Sequence, residues 1–489
     1  MVLWWSLLTL GVLLRVRGLT NGGLRTSDAW VALTSRVPVG LSWHMFANAP
    51  GFSFLERSWL LLHPFSTWWG QLPPLALGIA SIPAAYGLVR YFGFPSWMQL
   101  GASLAVSLSP ICIIYSTRYK EYGADFLLAC LLLALGERVR RQWRPRDLWV
   151  LAGASAGSFL ISGSTLSVVL AVWVALALQA LRTPRNLRAL LMPAAAAGTV
   201  FIATYAVFYR HLSPALTRYW APFFIDTSSP RALLASCSEA LLRIYAGVIG
   251  PWMLGYMAFA LLSGLLLFGL YRNRSMLTPA LTFVVALTLC TLHTIPLGTG
   301  RTDEVLYPGL LLLLASGVQR TGQATATIRR NRPWTRPAAK GFGLILILAL
   351  LVGGVTTDNH YDNTDVRAAA AQINRDFEPG DHVVVDTMMR YSWAYYEESP
   401  LHIVLGTDWM PGFTVRSTTS SVFVTPSFSV EGKWAPHTWV RQLAHYTRLW
   451  FVETTYGPSD PLLADLQQAG WRSVRTFQHT GCDVLLLRR

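Results

Sequence analysis

Long apolar segments recur through the first 356 residues of this 489-residue chain, and they limit its possible folds more than any other feature. A helix of about 20 apolar residues is long enough to cross a bilayer. The sequence therefore predicts an α-helical polytopic membrane protein with about eleven transmembrane helices. The predicted spans are residues 2–18, 73–93, 97–115, 122–138, 147–162, 164–181, 188–209, 243–270, 276–294, 304–319 and 341–356.

Arginine-rich loops indicate how these helices are oriented. Short cytoplasmic loops carry an excess of Lys and Arg, and loops 137–147, 181–188, 271–274 and 320–340 fit that rule. All four fall on one side if the first span, which carries Arg15 and no cleavage site, is an uncleaved helix with a cytoplasmic amino terminus. The extracytoplasmic side of the plasma (inner) membrane then receives these segments: loop 19–72, junction 115–121, loops 210–242 and 295–303, and residues 357–489.

The same composition argues against several other classes of protein. The net charge of +15 comes from these loops, so it indicates membrane orientation rather than nucleic-acid binding. The chain has no glycine-rich nucleotide loop, and its ten histidines and five cysteines show no metal-ligand spacing. Cys237 and Cys482 are both expected outside the cytoplasm, where they could pair.

The segment 115–125 places four charged residues between two apolar spans. Only three of the 40 basic residues are lysines, and one of them is Lys120; the others are Lys340 and Lys433. A lysine ammonium is a compact charge suited to binding phosphate, although a lysine at this position could instead snorkel to the lipid interface.

A helix beginning at Arg118 would place Arg118, Glu121, Tyr122 and Asp125 on one face. Lys120 would join them only if the helix begins later. A carboxylate at the end of a membrane span indicates a functional site, and the alternative for Asp125 is a salt bridge to Arg118.

Loop 19–72 contains a second candidate, Asp28. Ser27 or Asp28 could cap a short helix running through Trp30, which is the structural alternative to a catalytic carboxylate. Further along this loop, segment 49–63 is too short and too charged to span. It is predicted to lie at the membrane interface as an amphipathic or re-entrant segment.

The third candidate is Arg301, in loop 295–303. Gly298 and Gly300 flank Thr299 just before it, and glycines permit the tight turn that would direct Arg301 back into the helix bundle. The alternative is an arginine that anchors a phospholipid headgroup.

Residues 357–489 have the composition of a soluble, mainly parallel α/β domain outside the cytoplasm. Residues 379–381 (Pro-Gly-Asp) predict a turn, and residues 395–398 (Tyr-Tyr-Glu-Glu) are candidates to line a groove. The predicted helices are 365–377, 436–444 and 461–469. The predicted strands are 382–386, 402–406, 421–424, 449–453 and 483–487.

These motifs, in this order, resemble the GT-C superfamily of polytopic glycosyltransferases, in particular family 39-like relatives of protein O-mannosyltransferases and aminoarabinose transferases. The likeness covers nearly the whole chain. It departs from the family at Ala29, where the first-loop motif commonly has Asp-Glu and this chain has Asp-Ala. The matching positions are Ser27, Asp28 and Trp30; Tyr115, Ser116, Lys120, Tyr122 and Asp125; Pro296, Gly298, Gly300, Arg301 and Thr302; and Asp365, Arg367, Ala369 and 379–381.

The resemblance implies transfer of a sugar from a polyprenyl-phosphate donor to an extracytoplasmic acceptor, a glycan, lipid or protein of the cell envelope. Asp28 would be the general base. Lys120, Arg301 and Tyr122, with Arg118 in reserve, would bind the donor phosphate. Asp125 would orient Lys120 or bind a divalent metal such as Mg or Mn, and the departure at Ala29 bears on any metal requirement.

Two other functions fit the same sequence. A relative that has lost the second acid would be an inactive scaffold for envelope assembly. A transporter or flippase of a lipid-linked or anionic substrate would use the basic pocket for binding alone, although the sequence shows no paired half-chains.

Overall fold

The structure is a computed structural model that describes residues 2–20, 22–45, 49–181, 183–210, 214–249, 263–264, 270, 273–328, 350–358, 364–396, 400–405, 413–417, 422–424, 439–455 and 460–489. The predictions for Lys340, Lys433 and residues 397–398, and for most of spans 243–270 and 341–356, lie outside these ranges.

Helices dominate the described residues. Prolines open several of them, because proline at the first helical position lacks only an N–H that the helix does not use. In chain order the helices are α1 (Val2–Val16), α2 (Thr26–Ala32), α3 (Val39–Ser42), α4 (Pro50–Leu60), α5 (Thr67–Gly70), α6 (Leu72–Tyr91), α7 (Ser96–Leu108), α8 (Pro110–Ile114), α9 (Tyr122–Gln142), α10 (Pro145–Ile161), α11 (Leu166–Ala180), α12 (Pro184–Thr204), α13 (Pro214–Trp220), α14 (Pro230–Ile249), α15 (Leu277–Thr291), α16 (Tyr307–Ile328), α17 (Val366–Asp376), α18 (Arg390–Tyr396) and α19 (Asp460–Gln468).

Four helices of the described ranges are long and apolar enough to cross a bilayer: Thr67–Tyr91, Gly163–Ala180, Pro184–Tyr209 and Arg274–Thr291. A fifth span is formed if Ser96–Leu108 and Pro110–Thr117, which meet at an angle of 58°, cross together. The chain is thus a multi-pass membrane protein, and the number of its crossings stays a prediction.

Contacts divide the chain into two compact units. The first contains Met1–Gly18, Leu72–Arg210 and Trp220–Asn359. The second contains Leu19–Gln71, His211–Tyr219 and His360–Arg489. The sequence assigned the long loop 19–72 to the same domain as the transmembrane helices, whereas the contacts group Leu19–Gln71 with the carboxyl-terminal segment.

In the first unit, a buried arginine stabilises the break between α7 and α8. α7 ends before Pro110, so its last carbonyl groups lose their helical partners. The fully buried Arg15 of α1 donates to two of them, Val106 O at 2.8 Å and Ser107 O at 3.2 Å. Arg15 is therefore a structural part of the bundle, although its position near a helix end is also typical of an interfacial arginine.

The turn after α8 packs tightly on α6. A Cβ atom added at Gly78 would lie 2.4 Å from the Cβ of Ser116, so only glycine permits this approach. Gly123, at the start of α9, is similarly close to α6, with 3.3 Å between an added Cβ and the Gly78 nitrogen. Two glycines thus fix the segment that joins α8 to α9.

The second unit contains a five-stranded sheet in the order β4-β1-β5-β7-β6 and a separate β2-β3 pair. Apolar clusters cover both faces of the larger sheet, one around Trp450 and Val484, the other around Phe451 and Leu485. The strands are β1 (His382–Val385), β2 (Leu401–Leu405), β3 (Phe413–Ser417), β4 (Val422–Val424), β5 (Arg448–Thr454), β6 (Arg472–His479) and β7 (Cys482–Arg488).

This sheet is mixed, so the prediction of a mainly parallel sheet was wrong. β1 pairs in parallel with β4 and β5, whereas β7 is antiparallel to both β5 and β6. β6 was missed because it is a largely exposed edge strand without apolar alternation. Gly481, at φ +72°, supplies the two-residue hairpin turn between β6 and β7.

The helix predicted over residues 365–377 is confirmed as α17. The structure adds that Asp365 caps it, since the Asp365 carboxylate accepts from the Ala368 amide at 3.1 Å. The turn at 379–381 has Gly380 at φ +95°. Asp381 then accepts from the indole of Trp450 at 2.8 Å and pairs with Arg448 at 3.1 Å, which fixes the turn to β5.

Residues 19–71 pack on α18 through buried polar contacts. The Leu24 carbonyl accepts from Ser392 Oγ at 2.6 Å, and the Tyr396 hydroxyl lies 2.6 Å from Thr67 Oγ1. Tyr395 is fully buried, and its hydroxyl accepts from the Phe65 amide at 3.1 Å. The two tyrosines that were candidates to line a groove therefore hold this loop in place.

Helix α4 exposes apolar side chains and buries charged ones. Phe54 and Leu55 are exposed, as are Leu61 and Leu62 just beyond the helix, whereas Glu56 and Arg57 are buried. This inverted pattern is typical of a helix whose outer face contacts lipid. The same helix also buries Phe52 and Leu60, and the location of segment 49–63 at the membrane interface stays a prediction.

Candidate active site

The segment 115–125 is not one helix. Tyr115–Thr117 forms a single 3₁₀ turn, Arg118 is extended at φ −95° and ψ 142°, and α9 begins only at Tyr122. The shared face predicted for a helix from Arg118 therefore does not form. Helix α9 begins later than Arg118, which is the condition under which Lys120 could join the other charged residues.

Both cations of this segment are buried. Arg118 and Lys120 are each only 5% exposed. A snorkelling lysine keeps its ammonium group in water, so the burial of Lys120 disfavours that alternative. Buried charges in proteins are kept for pairing or for a ligand, because desolvating them is costly.

Arg301 approaches this segment from a distant part of the sequence. Its guanidinium lies 5.8 Å from the centre of the Trp220 ring and within electrostatic range of the Tyr122 hydroxyl. The Tyr122 ring in turn contacts Tyr115 edge-on, with 4.7 Å between the ring centres. Helix α9, which begins at Tyr122, packs against Glu304–Leu306 just after this loop, so the motifs 115–125 and 296–302 lie close together within the first unit.

The loop that carries Arg301 is built around Asp303. The two oxygens of its buried carboxylate accept from the amides of Gly298 at 2.9 Å and Gly300 at 2.8 Å. Both glycines have positive φ, +69° and +67°, which turns their amides toward the carboxylate. Thr299 Oγ1 accepts from the amide of Arg301 itself at 2.9 Å.

Burial raises the pKa of Asp303 to about 6, and the hydrogen bonds from the loop amides act against that rise. The structural role of Asp303 was not predicted from the sequence. The signal was present in the spacing of Gly298, Gly300 and Asp303.

Asp125 is fully buried in the first turn of α9. Its carboxylate faces the hydroxyls of Ser162 and Ser164 and lies in the electrostatic field of Glu121 and Glu304. The described residues contain no group of three or more His, Cys, Asp or Glu side chains placed to hold a metal ion. The donor set that a divalent metal would need is thus not found there.

Asp28 lies in the second unit, 4% exposed, as the third residue of α2. The helix begins after Arg25 and has no side-chain cap, so Asp28 is not the capping residue that was its structural alternative. Ala29 is fully buried. A second acid cannot replace it without placing a charge in the packed interior.

A second carboxylate nevertheless faces Asp28, from α4. Glu56 is 1% exposed, and its pKa is raised well above the usual value by burial and, next, by the charge of Asp28. Glu56 was not singled out from the sequence, since a glutamate in an amphipathic helix is expected on the water-facing side.

All five cysteines are free thiols, Cys237 and Cys482 among them.

The arrangement of helices and the mixed-sheet domain is a fold that solved membrane-protein structures share. Two solved structures share it over nearly their full length. ArnT from Cupriavidus metallidurans in the apo state is 13% identical with a TM-score of 0.55, and the match covers 98% of this chain and 97% of that one. The same protein bound to undecaprenyl phosphate is 12% identical with a TM-score of 0.54 and the same coverage.

No protein-family model matches the sequence, and no curated protein shows a significant match to it. The likeness to ArnT therefore rests on the fold.

Proposed function

We propose that this protein is a membrane glycosyltransferase that moves a sugar from a polyprenyl-phosphate donor to an extracytoplasmic acceptor of the cell envelope. One observation carries the proposal: Arg118 and Lys120 of segment 115–125 are buried, and Arg301, which is distant in the sequence, acts electrostatically on Tyr122 of the same segment. The fold supports it, since a protein with this fold has been solved with undecaprenyl phosphate bound.

In this mechanism the donor phosphate is the leaving group. Lys120 and Arg301 neutralise it, Tyr122 donates a hydrogen bond to it, and Arg118 is a reserve cation. Positive charge that is already in place stabilises the negative charge that develops on the phosphate, and no protein group has to reorient first. This electrostatic stabilisation is usually the largest contribution to catalysis. Asp125 has a supporting role, orienting Lys120.

Asp28 is the general base. As the acceptor hydroxyl oxygen bonds to the anomeric carbon, its proton passes to Asp28, and the bond between that carbon and the phosphate oxygen breaks. The electron pair of that bond leaves with polyprenyl phosphate. Proton transfer to a placed carboxylate contributes typically about 10²–10⁴-fold.

The test is sugar transfer by the purified protein in nanodiscs, with a panel of polyprenyl-phosphate sugars and envelope glycan, lipid and protein acceptors. We expect transfer by the parent, a loss of about 10²-fold or more in Asp28→Asn, and a comparable loss in Lys120→Ala. Arg138→Ala is the matched control, because Arg138 is an exposed arginine paired with Asp147 in the same unit.

The same assay separates the alternatives. A parent that binds donor but never transfers sugar would be the inactive scaffold. Movement of an intact lipid-linked substrate across the bilayer, unaffected by Asp28→Asn, would indicate the transporter. Either result would overturn the proposal that the protein is a glycosyltransferase.

A further inference from the structure

The buried carboxylate of Glu56 has no role in the proposed mechanism and no evident structural role. It is 1% exposed, and neither of its oxygens has a hydrogen-bond partner among the described residues. An unsatisfied buried carboxylate is costly and would be removed by a change to an apolar residue. Its presence therefore points to a chemical purpose.

The groups around Glu56 are defined by the elements packed on α4. Helix α4 packs against α2, which carries the buried Asp28, so the two buried carboxyl groups lie on contacting helices. The charge of Asp28 acts on Glu56, and the charge of Glu56 acts on Tyr395 of α18. Two arginines lie nearby but are directed at main-chain carbonyls: Arg57 donates to Thr34 O, and Arg36 donates to the carbonyls of Ala394 and Tyr395. Asp28 is thus the charge that acts most strongly on Glu56.

We propose that Glu56 is the positioning residue for Asp28: as a neutral carboxyl group it orients the Asp28 carboxylate, supplying from α4 the second acid that Ala29 lacks. This inference rests on the proposed function of Asp28 as general base. Two buried carboxyl groups that share a site do not both ionise, so one carries the proton and the other the charge.

The direction of the Glu56 pKa agrees with this assignment. A raised pKa keeps Glu56 protonated at neutral pH, where it can donate an O–H bond, while Asp28 remains available as the base. As pH rises, Glu56 ionises beside Asp28 and the arrangement is lost. Turnover should therefore fall on the alkaline side.

The first measurement does not depend on activity. Infrared spectra of the full-length protein in nanodiscs should show the C=O stretch of a protonated carboxyl at neutral pH that disappears in Glu56→Gln. In Asp28→Asn the pH at which this band disappears should fall by about one unit or more, because a neighbouring negative charge has been removed. Asp386→Asn is the control: that buried acid accepts from the amides of Met388 and Thr454, so its removal should leave the Glu56 band and its midpoint unchanged.

The second measurement is the pH dependence of sugar transfer. Glu56→Ala should lower kcat about 10-fold or more, while the KM for donor changes little. Glu56→Gln, which can still donate a hydrogen bond, should recover part of kcat and lose the alkaline fall.

The two measurements have separable failures. A parent that transfers no sugar refutes the proposed function while the infrared experiment still reports on the pair. The pairing is overturned if Glu56→Gln does not remove the neutral-pH band, or if Asp28→Asn does not change the pH midpoint of that band. Transfer by Glu56→Ala with the parent's kcat and pH profile overturns the positioning role.

Discussion

At the scale of single residues, the carboxylate of Asp303 determines where Arg301 points. Two glycine amides, at 2.8 and 2.9 Å, converge on it. A backbone loop without such an acceptor would direct these amides to water, and Arg301 would be free to leave the helix bundle. We therefore expect Asp303 to act as a positioning residue for Arg301, the arginine proposed to bind the donor phosphate.

Asp303→Asn should weaken the binding of undecaprenyl phosphate about 10-fold, comparable to the loss of one hydrogen bond to a charged group. In the parent, affinity should also fall as pH drops through about 6, because Asp303 then becomes protonated and loses acceptor strength. Binding titrations at several pH values in detergent measure both effects.

The control for this variant is Asp226→Asn, which changes an exposed acid whose side chain accepts from the Ser228 amide in another loop of the same unit. The affinity of Asp226→Asn for undecaprenyl phosphate should match that of the parent. Equal affinity and equal pH dependence in parent and Asp303→Asn would show that the loop does not position Arg301.

At the scale of elements, the junction between α8 and α9 depends on its packing against α6. The close approach of Gly78 to Ser116 leaves no room for a methyl group. Because Lys120 follows Ser116 by four residues, displacement of this turn would move the proposed phosphate site.

Gly78→Ala should destabilise the protein by about 1–3 kcal/mol, the usual cost of overpacking, and reduce sugar transfer. Thermal unfolding in detergent, followed by tryptophan fluorescence, measures the first effect. Gly87→Ala on the same helix is the control, since nothing lies within 4 Å of the added atom, and helix propensity should make it neutral or slightly stabilising.

Adding Ser116→Gly to Gly78→Ala should recover part of the stability, because it removes the atom that the new methyl group meets. If Gly78→Ala and Gly87→Ala unfold at the same temperature, the tight packing of this junction is refuted.

The sequence predicted the membrane-embedded elements better than the loops between them. Long apolar runs depend on local composition, and so do a helix cap such as Asp365 and a turn such as 379–381. The formation of β6 as an exposed edge strand and the inward orientation of Glu56 depend on which surface the tertiary fold covers. Periodicity alone cannot supply that information, because an edge strand may be polar and an interfacial helix may expose its apolar side.

At the scale of the whole molecule, each unit carries one part of the proposed chemistry. The first brings together the cations from segments 115–125 and 296–302, and the second holds Asp28 with Glu56. The sequence placed Asp28, Lys120 and Arg301 in the order of a known family. It did not show that residues 19–71 pack with the carboxyl-terminal segment, because such pairing leaves no local pattern.

The central claim is that distant motifs of the first unit bind one phosphate group. The measurement that tests it most directly compares the affinity of undecaprenyl phosphate with that of undecaprenol, which has the same tail without the charge. The proteins compared are the parent, Lys120→Ala, Arg301→Ala and the Arg138→Ala control.

The account predicts that Lys120→Ala and Arg301→Ala each weaken phosphate binding about 10-fold or more, the cost of a lost charge-assisted hydrogen bond, while undecaprenol binding is unchanged. Arg138→Ala should bind both lipids as the parent does. Equal losses for both lipids, or no loss for either variant, would contradict the shared phosphate site.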